Sequence, residues 1–326
     1  MKKASLFIAF FCLSLAGFSQ QDYQFSQFMH NKLLPNPGVA GANNGICATL
    51  IGRQQWAQFD GNPESVVFSA HGTVKPIFGG VGLSVVADRL GQESTVAAKL
   101  SYAFRTDKIG PGNLGIGIGL GFINKSIGQD WRSTDNFQQD VVIPDNGASD
   151  IGFDMDLGIY YDIEDKLYFG ISTTHLTQTS IEDQAENPGV GVADDLLSYT
   201  VARHYWIMAG YNYDLNAEWQ LQPNMLIKTD LNSAQVDLNL TAMYNKLLWG
   251  GVSYRYQDAI IPMVGINYGM PGSGLTGGTL KFGYSYDVTT SLIRQHSAGS
   301  HEIMLNYCFS IEIPPKLTKH KTVRFL

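Results

Sequence analysis

Charged residues are what this chain has fewest of. Asp, Glu, Lys and Arg make up 16% of its 326 residues, against roughly 25% in soluble domains. What charge there is sums to −7, with a pI of about 5.4, so a nucleic-acid partner has no electrostatic support. Long apolar runs are scarce too. One lies near the N-terminus, and no second stretch of about 18 apolar residues follows to make a membrane helix. Of three cysteines, Cys12 falls inside that first run, which leaves Cys47 and Cys308.

Catalytic signatures are missing as well. There is no phosphate loop of the GxxxxGK(S/T) type and no GxSxG elbow. His301 and Glu302 open "HEIML", but a zinc-protease helix needs a second histidine four residues on, and that position is Leu305. Asp130, Asp135, Asp140, Asp145 and Asp150 recur every fifth residue, whereas calcium loops place acidic ligands at alternate positions. They read as a solvated acidic loop, or as a surface that meets a partner. No blade-length repeat of about 40–50 residues occurs, which excludes a propeller. The expectation is a protein that is not an enzyme and carries no cofactor and no metal.

What remains is glycine and aromatic side chains. The chain has 35 Gly, 12% aromatics and a mean hydropathy of −0.06, as suits apolar surface spread thinly over many strands. "MKKASLFIAFFCLSLAGFSQQ" reads as a secretory signal, with Lys2 and Lys3 basic, an apolar run to Phe18, and cleavage near Gln20 or Gln21. After 21–44, alternating segments follow at 45–59, 63–75, 79–90, 94–106, 112–127, 150–163, 166–176, 202–215, 219–230, 234–245, 247–258, 259–270, 279–290 and 300–311.

Their number is even, and most are long enough to cross a bilayer as tilted strands. With the N-terminus in the periplasm, the longest connections, 128–149 and 177–201, both fall outside the cell, and the tight turns "IEDK", "DLNAE" and "YNK" fall inside. "MPGSGLTGG" (270–278) reads as a flexible periplasmic turn. Long external loops and short periplasmic turns are the outer-membrane pattern. The expected fold is therefore all-β: a 14-stranded antiparallel transmembrane outer-membrane barrel. Its expected parts are a signal peptide (1–20), a periplasmic, plug-like N-terminal segment (21–44), the barrel (45–311) and a periplasmic C-terminal tail (312–326). Trp56, Tyr102, Trp131, Trp206, Trp219 and Trp249 lie near segment ends, where interfacial girdles or core packing would hold them.

The fifth segment, "GNLGIGIGLGFINKS", has glycine at every second position. Ile116, Ile118, Leu120 and Phe122 would face lipid, and Gly115, Gly117, Gly119 and Gly121 would line the interior. Even spacing rules out a phosphate loop, whose glycines are unevenly spaced. Two readings stay open. Either something packs on this wall, such as 21–44 or an inward-folded loop, or the glycines relieve curvature.

Antiparallel neighbours share a constant sum of residue numbers, and closing the barrel makes the first and last strands neighbours. Cys47 plus Cys308 gives the same sum as Arg53 plus Glu302. One register would set both pairs opposite each other in the lumen, the cysteines at the periplasmic end and the charges near mid-wall. The expectation is an Arg53–Glu302 pair at the closing seam, with a Cys47–Cys308 disulfide as a further candidate in an oxidising periplasm. The tail "PPKLTKHKTVRFL" carries Lys316, Lys319, Lys321 and Arg324 and reads either as a frayed end or as a docking peptide.

"QDYQFSQFMHNKLLPNPGVAGA" (21–42), "GRQQWAQFDGNPESVVFSAHG" (52–72), "DRLGQESTVAAKLSYAFR" (88–105) and "KFGYSYDVTTSLIRQHSAGSHEIMLNYCF" (281–309) together resemble the PorP/SprF family of type IX secretion system membrane proteins. The N-terminal motif comprises Asn36, Pro37, Gly38, Ala40 and Gly41. Gly38 stands where the family usually has alanine. The resemblance implies an outer-membrane component of type IX secretion, an adaptor or anchor for secreted surface proteins, in some members serving gliding motility. Implied partners are a secreted surface protein with a type B C-terminal domain and a periplasmic OmpA-like, peptidoglycan-binding protein, besides outer-membrane lipid. The rival reading is a passive or ligand-selective outer-membrane transporter or porin.

Overall fold

Alternation of side chains along a strand sorts residues onto two faces, and a sheet with one greasy face needs something apolar beyond it. The computed structural model describes residues 22–43, 45–128, 148–184, 195–271 and 277–310. In it the chain closes into a 14-stranded antiparallel barrel. The strands are β1 (Gly45–Gln54), β2 (Glu64–Val74), β3 (Gly79–Leu90), β4 (Glu93–Ile109), β5 (Gly112–Ile127), β6 (Ala148–Ile163) and β7 (Leu167–Thr174). After a hairpin of β8 (Ser180–Gln184) and β9 (Asp195–Thr200) come β10 (His204–Tyr211) and β11 (Tyr213–Asp214), which form one stave. The wall continues through β12 (Trp219–Thr229), β13 (Ala234–Tyr244), β14 (Leu248–Arg255), β15 (Ala259–Met270), β16 (Gly278–Thr289) and β17 (Ser300–Ser310). Pairing of β1 with β17, and of β10 with both β7 and β12, leaves the main sheet no free edge.

The solvent pattern of a water-soluble protein is inverted. On the outside stand Leu100, Phe122, Ile151, Ile159, Val264 and Ile303, all at least half exposed. On the inside Lys99, Asp154, Asp237, Arg255, Asp287 and Glu302 are buried. An apolar belt of this extent is the surface a bilayer covers. Among the described residues no helix is long and apolar enough to cross a membrane; the strands supply the crossing.

Of the two homes open to the aromatics near segment ends, Trp206 and Trp249 take core packing. Trp206 and Trp249 occupy inward positions of the pleat and are 7% and 4% exposed. Trp206 donates its indole N–H to Thr174 Oγ1 at 3.0 Å, and Trp249 lies 5.2 Å, centroid to centroid, from His30. Pleat parity, not nearness to a strand end, decides the face. Tyr102 and Trp219 do face outward, and Trp56 lies just past β1 with φ of 53°. The β8–β9 hairpin within the seventh connection carries no signal that sequence reasoning used. The leader, Trp131, Asp130 to Asp145, and the basic residues Lys316, Lys319, Lys321 and Arg324 lie outside the described residues.

Candidate functional site: a plug held inside the barrel

A polar lumen can be buried only if something fills it, and residues 22–42 do. The segment starts near the barrel mouth that carries the long connections and descends through two single turns, Phe28–His30 and Pro37–Val39, before joining β1 at the opposite mouth. Phe25 packs with Ile51, Val67, Val86, Trp249, Ile261 and Met304. Lower down, Phe28, Leu33, Val39 and Ala40 pack with Ala103, Tyr160, Trp206, Met208 and Leu226. Two apolar clusters therefore hold an otherwise irregular strip of chain whose intrinsic preference for one conformation is slight. A segment buried this way fits the plug-like reading of 21–44 and does not present itself to a periplasmic partner.

The lower contact explains the motif Asn36-Pro37-Gly38-Val39-Ala40-Gly41. Asn36, fully buried, accepts from the Gly38 N–H at 2.8 Å and donates through Nδ2 to the Ile159 carbonyl at 3.0 Å. Pro37 begins the turn, where its missing N–H costs nothing. The wall here is made of glycine because backbone lies on backbone. A Cβ on Gly117 would sit 2.4 Å from the Gly38 nitrogen, one on Gly115 2.3 Å from the Gly38 oxygen, and one on Gly158 2.0 Å from Asn36 Oδ1. Gly41, with φ of 72°, abuts Gly80, where a Cβ would lie 2.3 Å from the Gly41 Cα.

Gly119 and Gly121 serve differently. A Cβ on Gly121 would meet the Ala98 carbonyl at 2.0 Å, in the neighbouring strand, and one on Gly119 would touch Asp156 at 3.3 Å. Two of the four glycines thus admit the plug, and Gly121 admits a close strand neighbour. Asn36→Ala is expected to lower barrel stability by roughly 1–3 kcal/mol, the cost of leaving a buried donor and acceptor unpaired. A shift in the urea midpoint of unfolding from lipid vesicles measures it.

The upper contact is ionic. In the β1–β17 register Arg53 stands opposite Glu302 and Cys47 opposite Cys308. Arg53 Nη1 lies 3.2 Å from Glu302 Oε2, and its Nη2 lies closer, 2.7 Å, to Asp287 Oδ2. Arg255 completes the group, with Nε 2.9 Å from Asp237 Oδ1 and Nη1 3.0 Å from Asp287 Oδ2. Arg53 is the penultimate residue of β1, so the cluster sits nearer the long-loop mouth than mid-wall. Two guanidiniums facing three buried carboxylates are stable only if most of their lone pairs and N–H groups are used. The plug supplies several of those partners, and Arg53 Nε is left without one. Glu302 accepts the backbone N–H groups of Ser26 and Gln27, both at 2.7 Å. Ser26 Oγ accepts from Arg53 at 2.7 Å and from Arg255 at 3.2 Å, and donates to Asp287 at 2.9 Å.

At the other end of the seam Cys47 and Cys308 form a disulfide across 261 residues of sequence. Elsewhere in the lumen Lys99 bridges Asp154 and Asp156 at 2.7 and 2.8 Å. Within the plug, Lys32 Nζ stands 3.7 Å over the Tyr168 ring.

Arg255, Asp237, Asp287 and Ser26 were missed at the sequence level, though the three charged ones sit at inward positions of their segments. Pleat parity could have flagged each as a lumen charge. The cavities left around the plug are small. An apolar one of about 40 Å³ adjoins Phe25, Phe28, Leu34, Trp206 and Leu226, and a polar recess of about 300 Å³ opens at the short-turn mouth beside Arg105 and Asp162. The chemistry available is holding and docking: ion pairs, hydrogen bonds and packed apolar surface.

Two solved structures share this architecture. The Ralstonia pickettii toluene transporter TbuX is 10% identical, with a TM-score of 0.51, over 86% of this chain and 93% of that one. The P. putida toluene transporter TodX is 8% identical, with a TM-score of 0.50, over 92% and 98%. At these identities the likeness is one of fold. No curated protein matches the chain. A family model described as type IX secretion system membrane protein PorP/SprF matches residues 17–307.

Proposed function

Because the chain belongs to the PorP/SprF family of type IX secretion system membrane proteins, we propose that this outer-membrane barrel works as a closed anchor and adaptor for secreted surface proteins. The observation that carries the reading is the plug, tied to the wall by buried ion pairs above and by backbone-on-glycine packing below. An adaptor tolerates a filled lumen; a porin needs a continuous wet path. The binding surfaces are then the two ends. The long external connections, including the β8–β9 hairpin, engage a secreted protein with a type B C-terminal domain. On the periplasmic side the basic tail, with Lys316, Lys319, Lys321 and Arg324, and the recess beside Arg105 take an OmpA-like, peptidoglycan-binding partner. No catalytic step is involved.

The test is affinity purification of the tagged protein from detergent-solubilised outer membranes of its native host, followed by mass spectrometry. Co-purification of a peptidoglycan-binding periplasmic protein and a large surface protein with a type B C-terminal domain is the expected result. A barrel that arrives alone and passes solutes in a liposome flux assay overturns the adaptor in favour of a transporter.

A further inference from the structure

Where the plug begins, it meets two histidines on opposite sides of the seventh connection. Asp22 is the first described residue, His175 follows the end of β7, and His204 opens β10. One carboxylate oxygen and one ring nitrogen from each histidine lie within 4.8 Å of one another. From this cluster we infer that Asp22, His175 and His204 form a divalent transition-metal site, zinc by its donor set, that fastens the start of the plug to the barrel wall.

The donor set is the first argument. Two imidazoles and one carboxylate with a fourth position open suit Zn²⁺ rather than Ca²⁺ or Mg²⁺, which favour oxygen. Geometry is the second. Donors held about 2.0–2.1 Å from one zinc ion sit roughly 3.3 Å apart, and His175 Nε2 already lies 3.2 Å from Asp22 Oδ2. The His204 donor lies within 4.8 Å of both.

The surroundings are the third argument, since ligating histidines are normally fixed through their other nitrogen. His204 Nδ1 lies 3.0 Å from the Ala202 carbonyl oxygen, which leaves Nε2 for the ion. His175 Nδ1 lies 2.7 Å from Asp154 Oδ2, an ionic approach without hydrogen-bond alignment. The backbone of His175 is held as well. It adopts φ of 56°, unusual for a residue with a side chain, and its N–H is accepted by Asp156 Oδ1 at 3.1 Å.

Space and charge agree with this. A cavity of about 70 Å³ lies against all three side chains, room for a water or a fourth ligand beside the ion. Asp22 and Asp154 flank His175 with two negative charges. Asp154 is shared with Lys99 at 2.7 Å and Lys228 Nζ meets the Asp22 backbone carbonyl at 2.8 Å, so the charge that faces a dication is the Asp22 carboxylate. This inference does not depend on the adaptor reading, because a transporter would use the same fastening.

Full-length, tag-free protein in detergent is stripped with a chelator, reloaded with Zn²⁺ and dialysed, and its metal counted by mass spectrometry. About one zinc per chain is expected, with an affinity that falls at least tenfold in His204→Ala and Asp22→Asn. Gel mobility of unheated samples verifies that each variant still forms the barrel. Wild-type protein loaded with Co²⁺ gives a second reading that needs no variant: visible ligand-field bands of a four- or five-coordinate ion. Wild-type protein that keeps no zinc after dialysis or shows no such Co²⁺ bands, or a zinc affinity unchanged by both substitutions, overturns the site.

Discussion

Replacing Arg255 with methionine lowers the stability of the folded barrel by about 3–5 kcal/mol, the usual cost of removing one member of a buried ion pair. Methionine keeps much of the volume but none of the donors. It leaves Asp237 and Asp287, both nearly fully buried, with charge that water cannot reach. Arg255→Lys recovers only part of the loss, because an ammonium cannot span Asp237, Asp287 and Ser26 as the guanidinium does. Removing the carboxylate together with the cation, as in Arg255→Met with Asp237→Asn, costs less than the sum of the two single changes. Urea unfolding from lipid vesicles, followed by tryptophan fluorescence and by mobility of unheated samples, measures the wild type, the three single variants and the double variant. A loss under about 1 kcal/mol for Arg255→Met would mean that water enters the cluster and screens it as at a surface.

Gly117→Val opens the barrel. Valine suits a strand better than glycine does, so β5 itself gains. The new side chain nevertheless occupies the space of the plug: its Cβ falls 2.4 Å from the Pro37 carbonyl carbon and 2.5 Å from the carbonyl oxygen. Backbone cannot yield by that much without leaving the wall. The expected result is a folded barrel with a displaced plug, read as resolved conductance steps in planar bilayers where the wild type gives none. Residues 22–42 then also become open to protease. Gly52→Val is the control, because nothing lies within 4 Å of a Cβ there, and it stays closed. If Gly117→Val also stays closed, the plug does not govern passage.

The strands were legible because alternation is a local property, repeated along each segment without regard to distant residues. Connection parity then set the two mouths apart. At the seam, arithmetic on residue numbers was enough to propose opposite partners, and in the structure Arg53 faces Glu302 and Cys47 faces Cys308. Asp287 was out of reach of the same method. It belongs to β16, two staves from β1, and meets Arg53 across the curved inner surface. Curvature brings together residues that a flat ladder keeps apart, and no sequence sum encodes it. Trp206 and Trp249 had two homes open to them, girdle or core, and the side of the pleat they occupy selects the core. The glycine row was ambiguous because its two causes act on different members, with Gly115 and Gly117 facing the plug and Gly121 facing a strand. Asp22, His175 and His204 are separated by up to 182 positions, and only closure of the wall around the plug brings them together.

The disulfide between β1 and β17 turns the wall into a covalent hoop, because every residue from Cys47 to Cys308 now lies on one closed loop of bonds. Residues 22–43 leave that loop at Cys47 and run back up its bore. The molecule is thus a lasso, a ring with its own leading end drawn through it. A lasso joins its end to its ring in two ways: the end leaves the ring covalently at Cys47, and Ser26 meets Arg53 and Glu302 of the wall again near the other mouth. Pulling on the ring therefore pulls on the strip of chain inside it.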